Sequence, residues 1–459
     1  MMQWVYLDNN ATTRPADEVV RAMAAAHEQY WANPSSVHRL GQMARQQVET
    51  AREQVARLIG AQPRELIFTS GGTEANNLAL WGLLSGGARR GGEGGVLVTS
   101  RVEHSAIREP AETLAEAGVA VRWLALGQHG VIEPATLGEA LEEVVFGGEG
   151  GNGGGADGGG DPAQRSPTRS EPALTPGVVL VSLQWANNET GVVQPVAALA
   201  ERVRAARAAA SARGVRTRIY FHVDATQAVG KLPVDVGACG TDLLTLSAHK
   251  FHGPKGIGAL WVRRGVRLRP QQRGGPQERD RRGGTENTAG IIGMGAAAEL
   301  AAAFVADGAR VAELAAMRDR FERAIVAAVG GTAGAEGVSV VVHGAGVAGV
   351  AGTAGVQRLW NTTNIGFVGL EAEAILLGLS ELGVCVSAGA ACSSGSLEPS
   401  PVLLAMGVPE PVAHGSVRFS LSRETRQAEL DEAAKRVGEV VGRLRQTLPL
   451  AAGAEQRKI

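Results

Sequence analysis

The segment RIYFHVDATQAVGKLPVDVGACGTDLLTLSAHK, residues 218–250, contains two apolar runs that each end in polar residues. The first run, 218–225, contains Asp224 near its end, and the second, 242–248, leads into His249 and Lys250. Short apolar runs bounded by turn residues predict buried strands. Because α/β proteins bind ligands at the carboxyl ends of their strands, these polar residues are candidates for a binding site.

Similar apolar runs on both sides of this segment predict five more strands, at 65–70, 95–100, 119–126, 178–184 and 257–263. Amphipathic segments at 42–60 and 195–214 predict helices between them. Strands that alternate with helices predict a mostly parallel sheet covered on both faces. After about residue 295 the pattern changes to predicted helices at 299–329, 371–383 and 427–448, which indicates a smaller α+β unit.

The composition excludes several classes of protein. The 459 residues are 44% hydrophobic and 20% charged, which is typical of a globular chain and not of a disordered one. A net charge of -1 provides no overall field to attract nucleic acid. Three cysteines without a CxxC spacing indicate neither a disulfide framework nor a zinc site. With an N-terminus that lacks a signal peptide, we expect a cytoplasmic protein.

Glycine is concentrated in two places. The segment 147–177 is so rich in glycine that we expect a disordered surface insertion. The segment 330–356 predicts a second long loop with one short strand at 338–342. Part of it, 337–356, is uncharged and long enough to span a membrane, but its glycines and His343 make the apolar driving force weak. We therefore expect no membrane span.

Three polar clusters at strand ends have both a chemical and a purely structural interpretation. Gly72 and Thr73 follow a strand in SGGTEANN and fit an anion cradle or a capped glycine turn. Asp224 would be a buried carboxylate that needs a cationic partner, such as a pyridinium nitrogen, or an ordinary helix cap. Lys250 would be a desolvated amine suited to forming a Schiff base, or a surface lysine beyond the strand.

Three further residues carry the same ambiguity. The chemical interpretation of His104 is a side chain that stacks on a flat ring or moves protons, and the structural interpretation is a histidine without a catalytic role. Arg418, in SVRFS, has a planar guanidinium that would bind a substrate carboxylate through two N–H donors, or it is a solvent-facing strand residue. Cys392 lies among small residues in SAGAACSSGS, which indicates a reactive thiol on a loop. Cys385, in the apolar run LGVCV, fits a structural cysteine.

Taken in order, these clusters resemble those of the pyridoxal-phosphate-dependent cysteine desulfurases of the iron–sulfur assembly and nitrogen-fixation type. The matching stretches are YLDNNATT (6–13), ANPSSVH (32–38), SGGTEANN (70–77), EHSAI (103–107), NNETGVVQPV (187–196), HVDATQAVGKLPVDV (222–236), SAHKFHGPKGIGALWVRRG (247–265), GGTENTAGIIGMG (283–295), SAGAACSSGSLEPS (387–400) and SVRFSLSR (416–423). The resemblance implies the aminotransferase class V group and fold type I. It implies a large cofactor-binding domain at 15–297 with a seven-stranded sheet. The remaining segments, 1–14 and 298–459, would form a small domain that carries the Cys392 loop.

The resemblance also implies a role for each matching residue. Lys250 would hold pyridoxal 5'-phosphate and move protons at the substrate α-carbon, with His104 stacked on the ring. Asp224 would pair with the ring nitrogen and Gln227 with the ring hydroxyl. The other implied cofactor contacts are Gly72, Thr73, Asn188, Ser247, His249 and, from the neighbouring subunit of a homodimer, Thr285. Asn188, Arg418 and Asn33 would orient the substrate.

The implied reaction converts L-cysteine to L-alanine, with the sulfur carried as a persulfide on Cys392. The expected partners are a second copy of the chain and a sulfur-acceptor or iron–sulfur scaffold protein, with no nucleic acid and no membrane. No resident metal is expected, although Cys392 is a candidate for a transient iron–sulfur ligand shared with a scaffold.

Several alternatives compete with this interpretation. A selenocysteine lyase shares the fold and stays an alternative. An aminotransferase needs no loop thiol, so the Cys392 loop argues against it. An inert sulfur-carrier scaffold would not need every site residue, and all of them are present. Eight arginines in 263–282 would suit nucleic acid, but the near-zero net charge and the lack of interleaved aromatic residues favour a solvated loop. Departures from the family are the long 147–177 insertion, Trp360 in place of a usual proline and the short C-terminal tail, and they bear on the acceptor more than on catalysis.

Overall fold

The computed structural model describes residues 4–85, 94–147, 176–330, 340–344, 356–388 and 398–447. The strands are β1 (Val5–Tyr6), β2 (Leu66–Thr69), β3 (Gly95–Ser100), β4 (Ala120–Leu124), β5 (Val178–Gln184), β6 (Arg218–Asp224), β7 (Leu243–Ser247), β8 (Gly258–Val262), β9 (Val340–Val342), β10 (Thr362–Phe367), β11 (Val384–Cys385), β12 (Ser387–Ala388) and β13 (Ser416–Ser420). The helices are α1 (Asp17–Gln29), α2 (Arg39–Leu58), α3 (Gly72–Leu84), α4 (Ser105–Glu116), α5 (Pro134–Phe146), α6 (Val196–Ala212), α7 (Val236–Cys239), α8 (Gln277–Asp280), α9 (Thr288–Ala306), α10 (Gly308–Ala328), α11 (Ala372–Glu381), α12 (Pro401–Ala405), α13 (Glu410–His414) and α14 (Gln427–Thr447).

The seven strands predicted from the apolar runs form one seven-stranded sheet, as expected. Its strand order is β2-β8-β7-β6-β5-β3-β4. All neighbouring pairs are parallel except the two that involve β8, which is antiparallel to both β2 and β7. The predicted α/β class with a mostly parallel sheet is therefore confirmed.

Apolar side chains project from both faces of this sheet, because successive residues of a strand point to opposite sides. In β5, Val179 and Val181 pack into a core with α1, α2, α5, α6 and α9. Leu180, between them, packs into the core on the other face with α3 and α4. Continuous apolar runs of this kind are typical of strands buried on both faces, which is why they were recognisable in the sequence.

A second, four-stranded sheet has the order β12-β13-β10-β9 and is antiparallel throughout. Its core is formed with α10, α11 and α14, and it includes the edge-to-face pair Phe321 and Phe419, whose ring centroids are 5.4 Å apart. The short strand β1 pairs in parallel with β11. The N-terminal residues are therefore attached to the C-terminal part of the chain.

One predicted helix, 299–329, is wrong in its boundaries. The chain forms two helices here, α9 and α10, which meet at Asp307. The Asp307 side chain accepts a hydrogen bond from the backbone N–H of Arg310, which caps α10. A capping aspartate followed by Gly308 starts a new helix more favourably than it continues the old one. The helices predicted at 42–60, 195–214, 371–383 and 427–448 correspond to α2, α6, α11 and α14.

Much of the two glycine-rich segments lies outside the described residues. Of the expected 147–177 insertion only Gly147 and residues 176–177 are described, and of 330–356 only residues 330, 340–344 and 356 are. The described part of the predicted strand at 338–342 is β9, Val340–Val342. These segments therefore provide no structural test of the expected disorder.

Among the described residues α9 is the only helix long and apolar enough to cross a membrane. Half of its most apolar window is buried inside the protein. It packs so closely on α2 that a Cβ atom at Gly295 would lie 2.8 Å from Ala51 Cα. These contacts describe a core helix beneath the large sheet.

Candidate active site

Polar residues gather at the carboxyl edge of the seven-stranded sheet, as the sequence predicts. Asp224 and Ser247 are the last residues of β6 and β7, and Lys250 follows β7 in a short 3-10 turn. The helices α3 and α4 begin just beyond β2 and β3, so their N-termini lie at the same edge. This is where parallel α/β sheets bind ligands.

The N-terminus of α3 forms a cradle with two buried hydroxyl groups. A Cβ atom placed on Gly72 would lie 3.1 Å from Thr226 Oγ1 and 3.5 Å from Ser247 Cβ, so the three residues surround one small space. Ser247 Oγ and Thr226 Oγ1 are both buried, and neither has a hydrogen-bond partner among the described residues. Buried hydroxyls normally have partners. Two orphaned hydroxyls beside a helix N-terminus fit an anion such as a phosphate group.

A salt bridge fixes the first turn of α3. Arg282 donates two hydrogen bonds to the Glu74 carboxylate, at 2.8 and 3.2 Å, and the Ser70 N–H donates a third at 2.6 Å. Burial raises the pKa of Glu74, but the bonds from Arg282 and Ser70 outweigh it and lower the pKa overall. Arg282 belongs to the arginine-rich segment 263–282, so at least part of that segment is committed to internal contacts. Thr73, on the same turn, is exposed.

Asp224 is buried with its carboxylate oriented by two donors. Asn76 Nδ2 donates to Asp224 Oδ2 at 2.7 Å, and the Thr226 N–H donates to Oδ1 at 3.0 Å. The Asp224 side chain therefore faces α3 rather than serving only as a helix cap. Donors to a carboxylate favour its charged form. A fixed, buried carboxylate of this kind fits a protonated ring nitrogen.

The amine of Lys250 is held by the backbone of the loop after β1. Its Nζ atom donates to the carbonyl oxygens of Asn10 and Ala11, at 2.6 and 2.8 Å. His249, the residue before it, lies 3.2 Å from Thr12 Oγ1 through Nδ1. Burial, together with the nearby charge of Lys250, lowers the pKa of His249 to about 4, so this imidazole is neutral at pH 7.

Gln227 lies in the same hydrogen-bond network. Its Nε2 atom donates to the Asn10 carbonyl at 3.0 Å, and its Oε1 atom accepts from the buried amine of Lys231. The Asn10 side chain bonds to Lys231, Asn361 and Thr362, and to the backbone of Asn188. Asn10 therefore connects the lysines at the sheet edge with the second sheet.

Arg418 is buried in the second sheet, which excludes the solvent-facing interpretation of its strand. Only 1% of its surface is exposed. Nη2 donates to Asp8 Oδ1 at 2.8 Å, and Nη1 donates to the Asn188 carbonyl at 3.1 Å. The Nε atom is buried without a partner among the described residues. The guanidinium thus retains a donor for a further acceptor.

His104 caps α4, and a buried carboxyl lies beside it. The Nδ1 atom of His104 accepts from the Ala106 N–H at 3.1 Å, so a neutral ring carries its proton on Nε2. Burial, and to a lesser extent the charge of Asp224, raise the pKa of Glu103 to about 8 although Ser100 donates to it. The site therefore contains a buried carboxyl, near Asp224, that keeps its proton at neutral pH.

Two predicted site residues are not part of this cluster in the single chain, and a third lies outside the described residues. Thr285 and Asn33 are exposed, and the Asn33 carboxamide accepts a hydrogen bond from Ser35 within its own loop. Cys392 lies outside the described residues. Both described cysteines, Cys239 and Cys385, are free thiols whose pKa is raised by burial. Among the described residues no group of three or more His, Cys, Asp or Glu side chains is arranged to hold a metal.

Sequence reasoning missed several residues that the structure places in the site, namely Asn10, Asp8, Asn76, Thr226 and Lys231. A signal existed for Asn76, because it lies one helical turn beyond Gly72 and so faces the same side. For Thr226 the signal was its position two residues after Asp224. Nothing in the local sequence indicates that the residues after β1 reach the sheet edge.

The geometry defines a class of protein. A lysine, a buried carboxylate and a helix N-terminus with orphaned hydroxyls converge at the carboxyl edge of a mostly parallel sheet. This arrangement, on an α/β fold with a smaller second sheet, is that of fold type I pyridoxal-phosphate enzymes.

Comparison with known proteins makes the assignment specific. Residues 5–145 and 161–323 match the model of the aminotransferase class-V family. Cysteine desulfurase 2 of Trichormus variabilis is 42% identical over 450 residues, which cover 98% of this chain and 96% of that protein. A solved NifS-like protein matches with a TM-score of 0.76 and 29% identity, over 96% of this chain and 100% of that one. The structure of SspA in complex with cysteine matches with a TM-score of 0.66 and 29% identity, over 91% of this chain and 98% of that one.

The chain therefore belongs to the aminotransferase class-V family, whose enzymes depend on pyridoxal phosphate, and its full-length relatives are cysteine desulfurases.

Proposed function

We propose that this protein is a cysteine desulfurase that uses pyridoxal 5'-phosphate to convert L-cysteine to L-alanine and passes the sulfur through Cys392 to an acceptor. The observation that carries the proposal is the convergence of the Lys250 amine, the Asp224 carboxylate and the cradle at Gly72 on one sheet edge, in a chain similar over its whole length to cysteine desulfurases. The alternative of a selenocysteine lyase is not favoured.

The residues present fit the cofactor. Gly72, Thr73, Ser247, Thr226 and the neutral His249 are assigned to its phosphate, and the orphaned hydroxyls support this assignment. Asp224 would pair with the protonated ring nitrogen, Gln227 would donate to the ring oxygen, His104 would stack on the ring face, and Lys250 would supply the amine. When bound, the cofactor withdraws electrons from the substrate α-carbon, which makes the α-proton acidic.

Lys250 removes this proton and later returns a proton to the same α-carbon, which carries a hydrogen in L-alanine. The carbonyl oxygens of Asn10 and Ala11 accept hydrogen bonds from its Nζ atom and orient the amine. Arg418, with Asn188 beside it, binds the substrate carboxylate. Asn33 is a weaker candidate for the same task.

In the sulfur-transfer step the Cys392 thiolate attacks the sulfur of the bound L-cysteine. A sulfur–sulfur bond forms, the carbon–sulfur bond breaks, and the electron pair of the broken bond returns to the substrate carbon. After protonation that carbon becomes the methyl group of L-alanine. Cys392 retains the sulfur as a persulfide, which a reducing thiol or an acceptor protein then removes. Because the substrate carbon gains the electron pair as the sulfur is oxidised, no added oxidant is needed.

The wider organisation is part of the same proposal. The chain forms a large domain, 15–297, and a small domain from 1–14 and 298–459 that carries Cys392. It acts as a cytoplasmic homodimer in which Thr285 of the neighbouring subunit completes the phosphate site, and it delivers sulfur to an acceptor or iron–sulfur scaffold protein. Free thiols at Cys239 and Cys385 are consistent with a reducing compartment.

The test is the formation of L-alanine from L-cysteine by the purified protein in the presence of a reducing thiol. Each variant has a matched control in the same chain. We compare Lys250→Ala with Lys255→Ala, which removes an exposed lysine nearby, and Cys392→Ser with Cys385→Ser. We expect the Lys250 and Cys392 variants to lose activity and both controls to retain it. A Cys392→Ser variant that forms alanine at the normal rate would remove the persulfide from the mechanism, and a yellow, cofactor-loaded protein that forms none would contradict the proposal.

A further inference from the structure

Lys231 carries a buried amine that the proposed reaction does not use. Only 4% of its surface is exposed. Among the described residues its amine bonds to two amide oxygens, Gln227 Oε1 and Asn10 Oδ1, and to no carboxylate. Burying an amine without a counter-charge is costly. The cost is visible in its pKa, which burial and the charges of Lys250 and Arg418 lower well below the ordinary value.

The contact with Gln227 fixes which way the Gln227 carboxamide points. The Lys231 amine donates to Gln227, and of the two ends of a carboxamide only the oxygen accepts, so the oxygen is the atom that faces the amine. The other end of the amide then donates to the Asn10 carbonyl, 3.0 Å away. One N–H of Gln227 remains after this bond, and it is the donor that our proposed function assigns to the ring oxygen of the cofactor.

The backbone and surroundings of Lys231 are themselves fixed. Trp360 Nε1 donates to the Lys231 carbonyl at 3.1 Å, and the Trp360 ring packs against Phe304. Lys231 and Lys250 both line a cavity of about 20 Å³, which is room for one water molecule. The titratable or charged groups around Lys231 are Lys250, Arg418 with its partner Asp8, His249, His252 and Arg423.

We propose that Lys231 is a positioning residue that locks the Gln227 carboxamide in the orientation that presents an N–H donor to the ring oxygen of the cofactor. This inference rests on the proposed function, because it needs the cofactor to bind beside Gln227. Without the lysine only the Asn10 carbonyl favours this orientation, so the amide rotates more readily and its oxygen, an acceptor, can face the ring oxygen instead.

The expected consequence is a change in the acid–base behaviour of the bound cofactor. A donor on the ring oxygen favours its anionic form, so the protonated linkage to Lys250 loses its proton at a lower pH. Removing the donor raises the pH midpoint of the absorbance change that reports this proton. Losing the positive charge of Lys231 acts in the same direction through space, and the experiment must separate the two effects.

The experiment titrates the absorbance of the cofactor-loaded protein with pH in a double-mutant cycle. It compares Lys231→Met with the parent, first with Gln227 present and then in a Gln227→Leu background. If Lys231 acts through Gln227, Lys231→Met raises the midpoint by about one pH unit in the first background and by less than half as much in the second. The control, Lys255→Met, removes an exposed positive charge near His249 and leaves the midpoint unchanged.

An equal shift in both backgrounds, or no shift in either, overturns the inference. Should Lys231→Met fail to fold, Lys231→Gln replaces it, because its amide can place an acceptor against Gln227; its shift is expected to be smaller but must still depend on Gln227. A parent protein that binds no cofactor overturns the proposed function and the inference together. A parent that binds cofactor and forms alanine, with a shift independent of Gln227, overturns the inference alone.

Discussion

Arg418 Nη2 donates a 2.8 Å hydrogen bond to Asp8 Oδ1, although 410 residues separate the two in sequence. The contact depends on the parallel pairing of β1 with β11, which places the residues after β1 beside the second sheet. Asp8 supplies the counter-charge that a buried guanidinium needs. The Nε–H donor has no partner among the described residues, and in the proposed function Arg418 binds the substrate carboxylate.

A first prediction follows for Arg418→Lys. Lysine keeps the charge near Asp8 but cannot bind a carboxylate through two parallel N–H donors. We expect KM for L-cysteine to rise about tenfold or more, consistent with the loss of about 1.4 kcal/mol or more of binding energy. Steady-state alanine formation measures it. The matched variant Arg423→Lys changes an arginine on the adjoining loop and should leave KM close to normal; an unchanged KM in Arg418→Lys would contradict the assigned role.

A second prediction concerns Asn76, the donor to Asp224. Asn76→Leu keeps a similar volume but leaves Asp224 without its side-chain donor, so the carboxylate is less well oriented toward the ring nitrogen. We expect the affinity for pyridoxal 5'-phosphate to fall about tenfold, since a hydrogen bond to a charged group contributes about 1.5–3 kcal/mol. Cofactor titration followed by absorbance measures it.

The neighbouring variant Asn77→Leu is the control for this prediction. Asn77 donates to the Thr73 carbonyl on the outer side of α3, without contacting Asp224. If both variants bind the cofactor equally well, Asn76 does not orient the carboxylate.

A third prediction separates stability from binding at the α3 cradle. Ser247 Oγ and Thr226 Oγ1 are buried without partners among the described residues. Removing an unsatisfied buried hydroxyl costs no hydrogen bond, so Ser247→Ala and Thr226→Val should leave the Tm of the cofactor-free protein unchanged or slightly higher. Both should nevertheless weaken cofactor binding, because a phosphate loses a donor.

Thr99→Val provides the contrast, because the Thr99 hydroxyl donates to the Ser182 carbonyl at 2.9 Å. That variant should lose about 1 kcal/mol of stability. Thermal unfolding and cofactor titration of the three variants measure both quantities. A cradle variant that lowers Tm as much as Thr99→Val would show that its hydroxyl has a structural partner.

The sequence predicted the large sheet well because its strands are short apolar runs that local composition reveals. The sequence-based prediction was wrong where a helix boundary depends on one capping residue. Asp307 divides the predicted helix 299–329 into α9 and α10. The sequence also predicted the residues at the ends of these strands, because strand direction alone gathers Asp224, Ser247 and Lys250 at one edge.

It could not predict the contacts made by Asn10, Asp8 and Lys231. Asn10 contacts Thr362 and Asn361, which are 352 and 351 residues away in sequence, and no local pattern indicates such a contact. Lys231 looks like an ordinary turn residue in the sequence, since its burial depends on Trp360 and Phe304 packing over it.

A last prediction concerns the pH dependence of stability of the cofactor-free protein. Burial raises the pKa of Glu103 from 4.5 to about 8, so the folded protein keeps a proton there that the unfolded chain releases at lower pH. The unfolded state therefore binds fewer protons between these values, and stability falls as pH rises. The contribution is fully present below about pH 4.5 and is lost as pH rises through about 8.

Glu103→Gln is nearly the same size and cannot ionise, so it removes this loss. We expect the variant to match the parent near pH 4.5 and to become more stable than the parent as pH rises, by at most about 1.4 kcal/mol per pH unit up to about pH 8. Urea unfolding at several pH values measures the difference. Glu109→Gln, an exposed residue of α4, is the control and should show a difference that does not change with pH. A Glu103→Gln variant whose advantage is constant from pH 5 to 8 would mean that Glu103 is already ionised in the folded protein, stabilised by the hydrogen bond from Ser100 and the charge of Arg108.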